Sequence, residues 1–370
     1  MRLAELTTMG VGGEPALIVD AYTREQLVAA LADAWEGDWF VLGGGSNLLA
    51  SDEPFDGTVV RILTTGFAPI DGAPAGYQRV AIEAGQNWDE FVAWTVSSGL
   101  QGVEAMSGIP GTAGAAPIQN VGAYGQEIVQ TLVSVDLIDV GSSVIETVPA
   151  AELGLGPRTS DLKRHYGEEP IRDAVIAGIT LDLRVVGTDP APVADERIRS
   201  ALSLSETDEL TLAQIRERVL AIRASKGMVL DPSDADTRSA GSFFNNPIIA
   251  EADARRLPAE CPRWPVEEVA DAVQVFDLAT WDGQVPRVQA PASRVKVSAA
   301  WLIEHSGLPK GFSLPGSRAG LSTKHTLAIT NRGGASSAEI AELARYVRTR
   351  VAAEYGITLN PEPVFVDVEL

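Results

Sequence analysis

The segment from Gly241 to Pro247, GSFFNNP, places one hydroxyl between a glycine and two aromatic side chains. A surface turn would rarely contain Phe243 and Phe244, and a buried strand would rarely continue into two asparagines and a proline. The segment is typical of a site at which an apolar wall presents the Ser242 hydroxyl to a ligand.

A glycine loop follows the expected strand WFVL. Gly43, Gly44 and Gly45 invite a dinucleotide-binding interpretation, but the GxGxxG pattern fails at its last position, which is Leu48. No helix is expected after the loop, because SDEPFDG interrupts the chain. The loop could offer its backbone N–H groups to an anion, and a plain strand-to-loop turn is an equally good interpretation of these residues alone.

A second unusual segment runs from Gly99 to Gly125 and contains seven glycines but almost no bulky side chain. A flexible linker would be rich in Ser, Glu or Lys, whereas this segment alternates Ile109, Pro110 and Ile118 with small residues. Small apolar residues let a backbone approach a large flat or charged ligand. The segment therefore favours a cofactor-lining role over an ordinary loop.

Composition limits the classes of function. A chain of 370 residues predicts two or three domains, and its net charge of −21 disfavours nucleic-acid binding. With Cys261 as the only cysteine and three histidines, no disulfide and no Cys/His zinc site is expected. The N-terminus has no signal-peptide pattern, and no apolar run reaches the ~20 residues that a membrane helix needs. A cytoplasmic protein without a metal site is expected.

Several elements can be predicted around these segments. Helices are expected after the capping residues Thr23, Asn87, Thr211 and Ser336. A hairpin is expected to turn at Gly141 and Ser142. The expected strands include PALIVDA, WFVL, TVVRI, TLVSVDLIDV, SVIETV, AVIAGITLDL and TLAIT, and a second unit is expected to start at YQRVAIEAG. After the strand that ends at Leu183 the sequence becomes acidic and weakly patterned, which predicts a domain boundary there.

Four stretches in this order, LGGGSNLL, SGIPGTAGAAPIQNVGAYG, GSFFNNP and LNPEPVFV, resemble the UDP-N-acetylenolpyruvoylglucosamine reductase family. The resemblance extends from about Thr8 to Val366. It implies an α+β fold, in which an FAD-binding domain of the vanillyl-alcohol-oxidase (PCMH) type occupies residues 1–66 and 67–200 as two subdomains. A C-terminal α+β substrate-binding domain would occupy residues 201–370, and its last strand would return to the active site.

The reaction that the resemblance implies is hydride transfer from NADPH to noncovalent FAD and then to the enolpyruvyl group of UDP-N-acetylglucosamine-enolpyruvate. Ser242 matches the family's proton donor, Arg158 in GPRTSDLK its catalytic arginine, and Glu362 its catalytic glutamate. An arginine can stabilise a developing enolate with paired donors, and a positioned hydroxyl can protonate a carbanion-like intermediate. Another flavin oxidoreductase of the same fold and a non-catalytic nucleotide-sugar sensor are the alternatives.

The resemblance also implies binding residues and shows departures from the family pattern. Cofactor-binding residues would be Gly43, Gly44, Gly45, Ser46, Asn47, Leu48, Ser107, Gly108, Ile109, Gly111, Gly114, Ala115, Ile118, Gly122 and Ile176. Substrate-binding residues would be Gln119, Tyr124, Arg223, Lys226, Asn246 and His305. Pro157 replaces a common tyrosine, Asn245 replaces a common lysine, and the segment after Leu183 lacks the tyrosine that closes over the uridine in one subclass. A monomer is expected.

Overall fold

The computed structural model describes residues 1–266 and 293–370. The helices are α1 Arg24–Ala34, α2 Trp88–Ser97, α3 Glu196–Leu202, α4 Leu212–Ser225, α5 Glu251–Ala254, α6 Ala299–His305 and α7 Ser337–Tyr355. The strands are β1 Pro15–Ala21, β2 Trp39–Leu42, β3 Leu48–Ala50, β4 Phe55–Ile62, β5 Phe67–Ile70, β6 Tyr77–Glu83, β7 Leu100–Gln101, β8 Gly122–Ala123, β9 Gln126–Glu127, β10 Leu132–Asp139, β11 Glu146–Pro149, β12 Ala174–Val185, β13 Ala191–Pro192, β14 Glu209–Leu210, β15 Ile248–Ala250, β16 Arg263–Pro265, β17 Arg294–Val297, β18 Ala319–Leu321, β19 Ile329–Asn331 and β20 Val364–Val366. The predicted α+β class is confirmed.

The first sheet is small and parallel, with the strand order β1-β4-β2. Helix α1 begins after Thr23, whose hydroxyl accepts the Gln26 backbone N–H at 3.2 Å. The helix buries Leu27 and Leu31 in a hydrophobic core that also contains buried residues of both sheets. Strand β2 lies at an edge of this sheet, and the glycine loop leaves the sheet at the carboxyl end of this strand because it follows Leu42 directly.

The second sheet is antiparallel, with the strand order β11-β10-β12-β6-β5, and β7 pairs with β12. The predicted hairpin turn is confirmed, since Ser142 N–H donates to the Asp139 carbonyl at 2.9 Å. Asn87 caps α2 by accepting the Glu90 backbone N–H at 3.0 Å. Buried residues of the two sheets, α1 and α2 belong to one core cluster, so both sheets support the loops between them.

The short strands β13 and β14 pair with each other, and α3 and α4 complete a smaller cluster that packs on α2. Beyond α4, the sheet β15-β17-β16, the β18–β19 pair, α6 and α7 surround another core. The division of the chain at residues 66 and 200 remains a prediction. Within the described residues, no helix has the length and apolar character to cross a membrane.

The last strand leaves the C-terminal core and pairs in parallel with β3, so that Val364 lies opposite Leu48. This pairing follows directly on the glycine loop, because β3 begins at Leu48. It therefore brings the residues before β20 to the same place as the loop after β2.

Candidate active site

A cavity of about 360 Å³ lies where the glycine loop, the small-residue segment, the GSFF segment and the residues before β20 meet. This volume falls in the range of small-molecule and cofactor pockets. The predicted site residues that line it are Gly43, Gly44, Gly45, Ser46, Asn47, Leu48, Ile109, Gly111, Ala115, Ile118, Gln119, Gly122, Arg158, Arg223, Ser242 and Glu362. The folded chain thus gathers all three predicted catalytic residues in one cavity.

The glycine loop packs backbone against backbone on the small-residue segment and on the chain at Leu6. A Cβ on Gly44 would lie 2.6 Å from the Gly111 Cα, and a Cβ on Gly45, whose φ is +60°, would lie 2.0 Å from the Leu6 carbonyl oxygen. Among the described residues, no acceptor is found for the backbone N–H groups of residues 44–47. Adjacent free N–H groups in a tight turn form a site for an anion such as a phosphate.

Arg158 occupies a strained position in a two-residue turn. Gly156 and Thr159 exchange backbone hydrogen bonds at 3.0 and 3.2 Å, and Arg158 between them has a φ of +58°. Pro157 precedes it, which matches a type II turn with proline at its second position and a left-handed residue at its third. A non-glycine residue in this region costs about 1–2 kcal/mol, and such strain is often found at functional sites.

The turn directs the Arg158 guanidinium to the cavity wall. Its Nη2 donates to the Gly122 carbonyl at 2.8 Å, and its Nε lies 3.8 Å from Glu362 Oε1. The Arg158 side chain is 38% exposed, whereas that of Glu362 is 13% exposed. The guanidinium therefore keeps N–H groups for a ligand, and the carboxylate lies beside it in the cavity lining.

The GSFFNNP segment is fixed by the chain that carries Glu362. Phe243 accepts the Glu362 N–H at its carbonyl at 2.9 Å, and Phe244 forms a bridge with Pro361. Both phenyl rings are fully buried and pack edge to face at 5.1 Å. The aromatic pair thus anchors the segment in the core, while Ser242 lies on the cavity wall.

His325 is a neighbour of Ser242 that the sequence did not reveal. Its Nε2 lies 3.4 Å from Ser242 Oγ. Burial, together with the positive charges of Lys226 and Lys310, lowers the pKa of His325 to about 4. The imidazole is therefore neutral at neutral pH and can take part in a hydrogen bond with the serine hydroxyl in either direction.

Lys163 is a second residue that the sequence did not reveal. It is only 3% exposed and lines the cavity. Its Nζ donates to Gln119 Oε1 at 2.9 Å and to the Glu362 carbonyl at 2.8 Å. Burial lowers the pKa of Lys163 to about 8, despite the attraction of the Glu362 carboxylate. Lys163 ends the stretch GPRTSDLK that carries Arg158, but nothing within that stretch distinguished it from a surface residue.

Four predicted cofactor residues lie behind the cavity wall. Ser107 is fully buried and donates to the Glu104 carbonyl at 2.6 Å, while Gly108 N–H donates to Asp89 Oδ1 at 2.6 Å. Gly114 packs on Ala84, where a Cβ would lie 2.6 Å from the alanine Cβ. The fourth residue, Ile176, is a buried residue of β12. Their contacts with a cofactor stay predictions.

Four predicted substrate residues also lie outside the lining. The Lys226 ammonium lies 5.8 Å from the centre of the Tyr124 ring, and burial raises the pKa of that tyrosine. Asn246 Oδ1 accepts the Ala299 N–H at 2.9 Å, at the start of α6. At the other end of α6, His305 stacks on Trp301 at 3.8 Å between ring centres. Substrate contacts of these four residues stay predictions.

Comparisons with known proteins cover the whole chain. The family model described as UDP-N-acetylenolpyruvoylglucosamine reductase, C-terminal domain, matches residues 231–366, and the model described as FAD binding domain matches residues 15–147. The UDP-N-acetylenolpyruvoylglucosamine reductase of Leifsonia xyli is 46% identical over 100% of this chain and 98% of its own length. The enzyme of the same name from Saccharopolyspora erythraea is 46% identical over 100% and 95% of the two chains.

A solved structure supports the fold. The crystal structure of UDP-N-acetylenolpyruvylglucosamine reductase from Thermus caldophilus has a TM-score of 0.62 at 23% identity, and the match covers 99% of this chain and 97% of that one. At this identity the likeness concerns the fold alone. Together with the family models, it confirms the predicted combination of an FAD-binding domain and a C-terminal domain.

Proposed function

The chain belongs to the UDP-N-acetylenolpyruvoylglucosamine reductase family, and on that premise we propose how its cavity performs an FAD-dependent, NADPH-driven reduction. The substrate is UDP-N-acetylglucosamine-enolpyruvate, and the product is UDP-N-acetylmuramate for peptidoglycan synthesis. The single observation that carries the proposal is the convergence of Arg158, Ser242 and Glu362 in one cavity beside the glycine loop.

The residues present fit FAD. The N–H groups of residues 44–47 have no acceptor among the described residues and suit a pyrophosphate. Next to them the cavity has apolar walls that include Trp88, Ile109 and Ile118, which suit a flat aromatic ring system. Bound FAD supplies the hydride that it receives from NADPH. Neither the glycine loop nor the segment from Gly99 to Gly125 contains a histidine or a cysteine that could form a flavin linkage, which supports noncovalent binding.

The chain's own residues make the double bond reactive. An enol ether resists a hydride unless electron density can move into the neighbouring carboxylate. The planar Arg158 guanidinium can bind a carboxylate or enolate oxygen with paired N–H donors. We assign this role to Arg158, because its partly exposed guanidinium lies on the cavity wall and Glu362 lies beside it.

Protonation completes the reaction. The hydride adds to the alkene carbon that does not bear the carboxylate. Negative charge then develops on the carbon that bears the carboxylate and on the carboxylate oxygens. Ser242 then donates a proton to the carbon that bears the carboxylate. The neutral His325 imidazole beside the hydroxyl can orient it without placing a second charge in the cavity. Glu362 is assigned to polarise the substrate next to Arg158.

The nucleotide end of the substrate needs cations in a chain with a net charge of −21. We assign Arg223 and Lys226, at the end of α4, to the diphosphate, with Tyr124 beside them. Arg223 supports this assignment because its Nε is buried and has no hydrogen-bond partner among the described residues. We further propose that the enzyme is a cytoplasmic monomer with the domains 1–66, 67–200 and 201–370.

Anaerobic mixing of the purified yellow protein with NADPH, and then with the enolpyruvyl substrate, tests the function. The flavin absorbance should fall with NADPH and return when the substrate is added in the absence of oxygen. A flavin that NADPH reduces but that only oxygen reoxidises would contradict the proposal and would favour an oxidase of the same fold.

A further inference from the structure

The strongest feature outside the predicted machinery is the buried ammonium of Lys163. We propose that Lys163 is a positioning residue for the reduction step, because it fixes the main chain at Glu362 and holds positive charge close to the Arg158–Glu362 pair. The inference rests on the roles proposed above for Glu362 and Arg158.

Lys163 and Asn47 share the same two acceptors. Lys163 Nζ donates to Gln119 Oε1 at 2.9 Å and to the Glu362 carbonyl at 2.8 Å. Asn47 Nδ2 donates to the same two oxygens at 2.7 and 3.4 Å. These bonds join the glycine loop, the small-residue segment, the Arg158 loop and the chain before β20. The position of Glu362 in the cavity therefore depends on this network.

The need for hydrogen bonds does not by itself explain a lysine here. Asn47 already supplies a neutral donor to each acceptor. A buried ammonium loses far more hydration free energy than a buried amide does, so a neutral side chain would satisfy the same oxygens at a lower cost in stability. The positive charge is the property that only a basic side chain contributes at this position.

The charged groups that interact with Lys163 come from two segments. Glu362 lies on the chain before β20 and favours the protonated amine, whereas Arg158, on the same loop as Lys163, disfavours it. His165, also on this loop, has its pKa lowered by burial and by the Lys163 charge. Because burial lowers the pKa of Lys163 to about 8, this charge is lost at mildly alkaline pH. The neutral amine can still donate both hydrogen bonds. Raising the pH therefore removes the charge of Lys163 and leaves its hydrogen bonds in place.

Stopped-flow absorbance of the holoenzyme tests the proposal, with Lys163→Met, Lys163→Arg and the exposed-lysine control Lys296→Met. Flavin reduction by NADPH and reoxidation by the enolpyruvyl substrate are followed separately. We expect Lys163→Met to slow reoxidation roughly 10- to 100-fold, as for a small misplacement of a catalytic group. The rate of flavin reduction in Lys163→Met, and both rates in Lys296→Met, should differ from wild type by less than about threefold. Lys163→Arg should retain more activity than Lys163→Met.

The pH dependence of the reoxidation rate provides a second test. Wild-type reoxidation should fall as the pH rises through about 8, and Lys163→Met should lack this decrease. Unchanged reoxidation in Lys163→Met, or equal slowing of both half-reactions with loss of bound flavin, would overturn the inference. Identical pH profiles for wild type and variant would also overturn it. If the wild-type protein is not reoxidised by the substrate, the proposed function itself fails, which is a distinguishable result.

Discussion

Lys163→Met should increase the stability of the folded protein at neutral pH while it impairs the reaction. Burial lowers the pKa of Lys163 from 10.5 to about 8. At about 1.4 kcal/mol per pKa unit, the charged side chain destabilises the folded state by about 3 kcal/mol. Methionine removes this penalty but also two hydrogen bonds worth about 1 kcal/mol each. The expected net gain in the free energy of unfolding is therefore about 1 kcal/mol.

The pH dependence of this gain has a defined sign. Below pH 8 both the folded and the unfolded chain carry the Lys163 proton, so the penalty is fully present. Between about 8 and 10.5 only the unfolded chain retains it, so the free energy of unfolding of wild type rises relative to that of the variant. The advantage of Lys163→Met should vanish and then reverse across this range.

Urea unfolding of both proteins at saturating FAD, over a series of pH values, measures this difference. Lys296→Met serves as the control, because Lys296 is exposed on β17. A Lys163→Met protein that is about 2 kcal/mol less stable than wild type at neutral pH would mean that the hydrogen bonds outweigh the desolvation. A difference in stability that stays constant between pH 8 and 10.5 would refute the assigned titration.

The remaining predictions concern the proposed reaction and its ligands. Ser242→Ala should leave flavin reduction by NADPH within a few fold of wild type and slow reoxidation by the substrate about 10²- to 10⁴-fold in stopped-flow measurements. Ser242→Cys should retain more activity than Ser242→Ala, and equal slowing of both steps would count against a proton donor. NADPH and the substrate should use one cleft in turn, because a chain with a net charge of −21 has few cations with which to build two diphosphate sites. Lys226→Ala should therefore weaken the binding of both ligands, and titrations that show a loss of affinity for only one of them would count against the shared cleft. Acid precipitation should release the yellow colour into the supernatant, whereas a coloured pellet would indicate covalent flavin.

Local signals in the sequence predicted the elements of the fold well. The capping box of Thr211 and Gln214 opens α4, and that of Ser336 and Glu339 opens α7. The strand PALIVDA has the predicted bounds in the structure. A cap or an apolar run acts over a few residues, so its physical cause is fully present in the local sequence.

The contacts that complete the site are nonlocal and have no local signal. Lys163 binds the carbonyl of Glu362 across 199 residues, and His325 meets Ser242 across 83. The sequence around Lys163 and around His325 contains no signal that either side chain is buried, so neither contact could be predicted. Among the three histidines, sequence resemblance singled out His305, whereas the fold places His325 beside the serine.

Arg158 shows why local preference fails at a functional position. A type II turn favours proline at its second position and glycine at its third, so Pro157 satisfies the preference while Arg158, with a φ of +58°, violates it. Glycine would relieve the strain but would remove the guanidinium from the cavity wall. The ring of Pro157 restricts its own φ in the unfolded chain as well as in the folded one, which reduces the entropy lost when the turn forms. Pro157, which replaces the common tyrosine, thus offsets part of the strain that the position of Arg158 imposes.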